Sequence, residues 1–162
     1  MKINGLRALF IILLFLTFGI IFGFSNQDSK KSASLSGEIT KVVVENIPSI
    51  SKKSAKEKNK IMYEIENVIR KIAHFSIYTL VGIWSISLFS TYKLKDENRV
   101  LISLLIGLIY AISDEVHQAF VPGRGPQATD VIIDTMGTIM GILLVLVIVK
   151  IYKKKQTKNV KK

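Results

Sequence analysis

Four long apolar runs interrupt the 162-residue sequence and limit what it can fold into. A helix needs about 20 mostly apolar residues to cross the roughly 30 Å hydrocarbon layer, because each residue rises about 1.5 Å. Residues 6–24, 72–90, 100–121 and 129–152 meet this requirement. The sequence therefore predicts an all-α membrane protein, in which four transmembrane helices form a bundle within a single domain, residues 1–152.

The first apolar run has two interpretations, because Lys2 and Arg7 precede it as basic residues precede the core of a signal peptide. The run is longer than most signal cores. We therefore expect a retained helix that forms the first span.

The segment between the first two spans, residues 25–71, is predicted to be an outer loop. Within it, residues 36–47 and 56–71 carry apolar side chains at helical spacing. This spacing predicts interfacial helical segments, the second of which runs into the second span. For residues 28–60, which are rich in Ser and Lys, a solvated and loosely ordered chain is the alternative.

Lysine and arginine are unevenly placed, and the formal net charge is +11. Basic residues that flank spans are retained on the cytoplasmic side. The tail, residues 153–162, is strongly basic, and Lys93, Lys95 and Arg99 lie between spans two and three. We therefore expect a multi-pass protein of the cell membrane with both termini cytoplasmic. The tail is expected to contact anionic lipid headgroups and not nucleic acid.

One polar segment, SDEVHQAFVPGRGPQATDVIID at residues 113–134, separates the last two apolar runs. In the predicted topology it forms the outward ends of spans three and four with their connection. On span two, Arg70, His74 and Tyr78 lie four residues apart on one helix face, and this face enters the membrane from the same side. The predicted ligand-binding residues are Arg70, Lys71, His74, Asp114, Glu115, Gln118, Arg124, Asp130 and Asp134.

Buried carboxylates need partners, since an isolated ionised group in a membrane is costly. The candidate partners are basic groups on span two and in the connection: Arg70, Lys71, His74 and Arg124. The Pro and Gly residues around Arg124 predict a tight turn that presents its side chain above the carboxylates.

The start of span four carries two further signals. Thr129 or Asp130 is placed to cap the helix, and Gly137 with Gly141 forms a GxxxG pattern that permits close helix packing.

Two motifs, RKIAHFSIY at 70–78 and SDEVHQAFVPGRGPQATDVIIDTMGTIMG at 113–141, resemble those of the VanZ-like family, with a weaker echo in FSNQDS at 24–29. This family of small bacterial membrane proteins is named after an accessory protein associated with teicoplanin resistance. The resemblance places the nine predicted residues on the family's signature polar positions. Ile77 departs from it, since many relatives carry a glutamate there, and His117 falls on a variable position.

The resemblance implies a role in the cell envelope, with two alternatives for the activity. In the first, the outward pocket binds or shields an amphiphile, such as a lipid-linked cell-wall precursor or a lipoglycopeptide of the teicoplanin type. In the second, the protein is a membrane-embedded enzyme that acts on a lipid-linked envelope substrate. Its candidate catalytic residues, either an acid/base pair or ligands of a divalent metal, are His74, Asp114, Glu115 and Asp134.

Other interpretations of the polar residues are weaker or complementary. A purely structural network that joins the helices explains part of the pattern. A carrier is disfavoured, because the inner halves of the spans lack ionisable residues. No cofactor is predicted apart from the metal alternative. The absence of cysteine excludes a disulfide, a thiolate metal site and a thiol nucleophile, and the oligomeric state is left open.

Overall fold

The computed structural model describes residues 3–26 and 53–160, together with single positions between 37 and 50. Within the two long ranges the chain forms helices and no strand. The helices are α1 (Ile3–Ser25), α2 (Ala55–Ser90), α3 (Asp96–Gln118) and α4 (Ala128–Val160). Each is long and apolar enough to cross a membrane, which confirms the predicted all-α, four-span architecture of a multi-pass membrane protein in a lipid bilayer.

The helix bounds differ from the expected spans in informative ways. Helix α2 begins at a capping box, in which the Glu57 amide donates to the Ser54 hydroxyl and the Ser54 amide donates to the Glu57 carboxylate. The helix then continues to Ser90, so the expected helical segment at 56–71 runs into the second span without a break. Helix α3 ends at Gln118, before Val121 where the third span was expected to end. The expected helix at 36–47 falls largely outside the described residues.

Helix neighbours run in opposite directions, which brings polar groups together at two ends of the bundle. At one end Arg7 of α1 donates to the carbonyl and hydroxyl oxygens of Thr91, the residue that ends α2. At the other end Gln118 of α3 reaches Ser25, the last residue of α1. We call the first the Arg7 end and the second, which also holds the connection at 119–127, the site end.

Between the two ends, α2 and α4 approach each other at glycine positions. A methyl group at Gly137 would overlap the carbonyl oxygen of Phe75, and one at Gly141 would overlap that of Thr79. On α2, Gly82 has the same relation to Thr138 of α4. Such small residues let helix backbones approach closely in a membrane, as the GxxxG pattern predicted. The close approach fixes the first turns of α4 against α2, where the polar residues lie.

Candidate functional site

The centre of the site is a contact between α2 and α4. The Nδ1 atom of His74 lies 3.3 Å from Oδ1 and 3.5 Å from Oδ2 of Asp134. Asp134 is fully buried, and the His74 side chain retains only 16% of its exposure. Both distances exceed the 2.7–2.9 Å of a close charge-assisted hydrogen bond, so the two groups face each other without a tight bond.

Helix α3 supplies the third group, Asp114. The Nε2 amide of Gln118 donates to Oδ2 of Asp114 at 3.0 Å and reaches the buried Ser25 hydroxyl at 3.5 Å. Asp114 and Gln118, four residues apart, therefore share one face of α3. One ligand atom from each of His74, Asp114 and Asp134 can be chosen so that all three lie within 4.8 Å of one another.

Tyr78 lies one turn beyond His74 on α2 and is fully buried. Its hydroxyl lacks a hydrogen-bond partner within the described part of the chain, and it lies within electrostatic range of Asp114 and Asp134. Buried hydroxyl groups nearly always have a partner, so an unpaired one beside two carboxylates requires an explanation.

Glu115 forms a different contact from that of Asp114, the residue before it in the sequence. Its Oε2 accepts the backbone N–H of Gln127 at 2.7 Å, immediately before α4 begins. A carboxylate at a helix start satisfies an amide that lacks a helical partner and interacts favourably with the helix dipole. The sequence placed this capping role on Thr129 or Asp130; in the structure, the Thr129 hydroxyl contacts the Asp130 carboxylate at 3.4 Å.

The connection that carries Arg124 begins with a tight turn, as expected. The Arg124 amide donates to the Val121 carbonyl at 3.1 Å, with Pro122 second in the turn and Gly123 third at φ 77°. This is the residue pattern of a type II turn, whose third position favours glycine because φ is positive there. The turn holds Arg124, half-buried, over the site end.

Two arginines lie close to each other at this end. Burial lowers the pKa of the Arg124 guanidinium and nearby Arg70 lowers it further, although an arginine stays charged at neutral pH. Asp114, Glu115 and Asp130 act in the opposite direction, which places Arg124 within electrostatic range of three carboxylates. The Arg124 Nε atom is buried, and none of the described residues accepts its hydrogen.

The predicted charge pairing is realised at one residue only. Among the described residues, His74 alone of the four expected basic partners lies within 4 Å of a site carboxylate. Arg70 donates instead to the Asn67 side chain at 2.6 Å, and Lys71 is half-buried one residue further on. His117 lies apart from the cluster, with its ring against that of Phe22.

Four buried carboxylates of the site end therefore have one close cation, His74, among the described residues. Asp114, Glu115, Asp130 and Asp134 expose 4%, 5%, 8% and 0% of their surface. Buried carboxylates without close cations are strongly disfavoured unless another positive group or a proton compensates them. The carboxylates are thus suited to holding a cation, whereas Arg70 and Arg124 are the groups suited to an anion.

The fold and the site define a helical membrane protein with a buried polar cluster at one end of its bundle. A family model described as VanZ/LLP1 matches residues 10–149. The chain belongs to this family, as the resemblance of its motifs predicted. Comparison with curated proteins and with solved structures returns no match.

Proposed function

We propose that the site end binds an amphiphilic component of the cell envelope, or a lipoglycopeptide of the teicoplanin type, and shields or retains it at the outer leaflet. The proposal rests on one observation, which is that, within the described part of the chain, two arginines at the site end have no carboxylate as a close partner. Arg70 and Arg124 lie at the rim of a carboxylate-rich cluster, and among the described residues neither forms an ion pair with a carboxylate. Guanidinium groups held in this way are suited to the phosphate or carboxylate of a ligand.

The location of the site supports an amphiphile over a soluble ligand. The polar groups from α3 and α4 lie near the ends of these helices, whose remaining surfaces expose large apolar side chains, including Ile109, Ile112 and Val116 on α3. A ligand with a polar head and an acyl or polyprenyl chain can contact the arginines and leave its chain in the bilayer. The proposal includes the orientation expected from the basic residues, with both termini cytoplasmic and the site end outside.

The test is expression in a sensitive bacterial host, with teicoplanin and vancomycin compared. We expect tolerance to rise for teicoplanin, whose acyl chain anchors in the bilayer, and much less for vancomycin. Arg124→Ala and Arg70→Ala are expected to remove this tolerance, because loss of a charged hydrogen bond of about 1.5–3 kcal/mol weakens binding roughly tenfold or more.

The matched control is Arg99→Ala, which removes an arginine at the Arg7 end. All variants must accumulate in the membrane to the level of the unmodified protein. Unchanged tolerance in Arg124→Ala cells, or equal loss in Arg99→Ala cells, would contradict a binding role for the site end.

The second candidate, an enzyme acting on a lipid-linked envelope substrate, is favoured by a separate observation. His74, Asp114 and Asp134 come from three helices and converge in a buried cluster, a combination that serves acid/base or metal chemistry. Glu115 fits this role less well, because its Oε2 is engaged by the Gln127 amide. Chromatography of lipid precursors from cells with and without the protein tests the candidate, and identical profiles would exclude it.

A further inference from the structure

We propose that His74, Asp114 and Asp134 bind one divalent transition-metal ion, Zn²⁺ or Mn²⁺, inside the helical bundle. The donor set consists of one imidazole nitrogen and two carboxylate oxygens, which suits these ions better than Ca²⁺. The proposal goes beyond the proposed function, because it concerns the three buried residues His74, Asp114 and Asp134. It holds for a binding protein and for an enzyme alike.

The distance between His74 and Asp134 is that of two ligands of one metal ion. Tetrahedral ligands about 2.1 Å from an ion lie about 3.4 Å from one another. His74 Nδ1 and Asp134 Oδ1 are 3.3 Å apart, and one ligand atom can be chosen on each of His74, Asp114 and Asp134 so that all three lie within 4.8 Å. Ligand atoms as far apart as 4.8 Å would have to move closer when the ion binds, by rotation of the side chains between their rotamers.

Side chains next to the three proposed ligands provide the supporting hydrogen bonds that metal sites usually have. Gln118 holds one oxygen of Asp114 and is itself within reach of Ser25, so the carboxylate is oriented by a second layer of hydrogen bonds. The fully buried Tyr78 hydroxyl lacks a partner within the described ranges and lies near both aspartates. A water molecule bound to the ion would provide the acceptor for it.

Charge balance is the independent argument for a cation. Each site carboxylate is more than nine-tenths buried, and His74 provides the close contact to Asp134. Arg124 lies in electrostatic range but outside the 4 Å of an ion pair with any described carboxylate. A divalent ion would compensate two negative charges at the position where Asp114 and Asp134 converge.

The experiment uses the full chain, purified in detergent, stripped with a chelator, incubated separately with Zn²⁺ and Mn²⁺, and desalted before elemental analysis. We expect about one equivalent of at least one of the two ions per chain. His74→Ala and Asp114→Asn are expected to lose it, and Gln118→Ala to bind about 10–100-fold more weakly, as loss of a supporting partner does at metal sites. Asp96→Asn, an exposed carboxylate at the Arg7 end, is the control and is expected to bind normally.

Folding of each variant is checked by the helical signal in circular dichroism and by monodisperse elution from a sizing column. If the variants do not fold, metal binding by the wild type still tests the proposal. A stripped wild-type protein that retains neither ion overturns it, as does metal retained equally by a folded His74→Ala or Asp114→Asn variant. A rise in thermal stability on addition of the ion, present in the wild type and the control but smaller in Gln118→Ala at the same metal concentration, is the second expected result. An equal rise in all three contradicts the site.

Discussion

The two ends of the bundle differ in how their charged side chains are paired and buried. At the Arg7 end, Arg7 donates to Thr91 and lies over the Tyr92 ring, and Arg99 pairs with Asp96, whose side chain is 85% exposed, although the Arg99 Nε atom is buried without an acceptor among the described residues. At the site end four buried carboxylates outnumber the cations, such as His74, that lie within 4 Å of them among the described residues. The first arrangement is sufficient for anchoring helices at an interface, whereas the second is costly, and this cost is the reason that we propose a ligand at the site end.

The largest difference between the ends is expected for His74→Ala. This change removes the only described charged contact of the fully buried Asp134. Breaking a buried pair by removing one partner lowers the free energy of unfolding by about 3–5 kcal/mol. Unfolding of the purified protein in mixed micelles measures the change. A loss below about 1 kcal/mol would show that Asp134 does not depend on His74, and the contrast between the ends would fail.

A smaller loss of stability is expected for Glu115→Ala. This variant tests whether Glu115 stabilises the start of α4, separately from any role in ligand binding. The variant loses a charged acceptor for the Gln127 amide, which contributes about 1.5–3 kcal/mol. Hydrogen exchange at that amide is expected to accelerate in Glu115→Ala and to stay closer to wild type in Glu115→Gln, which keeps an acceptor oxygen. An unchanged exchange rate in Glu115→Ala would show that another group accepts the hydrogen of the Gln127 amide at the start of α4.

The smallest effect is expected for Arg99→Ala at the Arg7 end. Its pair with Asp96 at 2.9 Å spans three residues of one helix and is exposed to solvent on the Asp96 side. Exposed pairs of this kind contribute about 0.2–1 kcal/mol. The same unfolding assay measures it, and a loss as large as that of His74→Ala would remove the distinction between the two ends.

Local sequence signals predicted the framework well. The apolar runs gave the four helices, the GxxxG spacing gave the close packing of α4 against α2, and the Pro and Gly residues gave the turn before Arg124. The spacing of four residues also gave the Asp114–Gln118 hydrogen bond. Each of these features depends on residues close in sequence, so its geometry follows from the helix or turn itself.

Contacts between distant residues were harder to predict. Charge alone suggested Arg70, Lys71 and Arg124 as partners of the carboxylates, yet the helix positions bring only His74 within 4 Å among the described residues. The Glu115–Gln127 bond joins two elements across the turn, and no local pattern indicates it. Ser25 had one signal, the FSNQDS echo after the first span, but its contact with Gln118 depends on how α1 packs against α3.

Direct binding by the purified protein is the measurement that tests the central claim, that the site end takes a ligand. Teicoplanin and a lipid-linked cell-wall precursor are each titrated in detergent micelles against the wild type, Arg124→Ala and Arg99→Ala. We predict saturable binding of at least one ligand by the wild type and Arg99→Ala, and at least about tenfold weaker binding by Arg124→Ala. Equal affinity in all three proteins, or no saturable binding of either ligand by the wild type, would contradict the account.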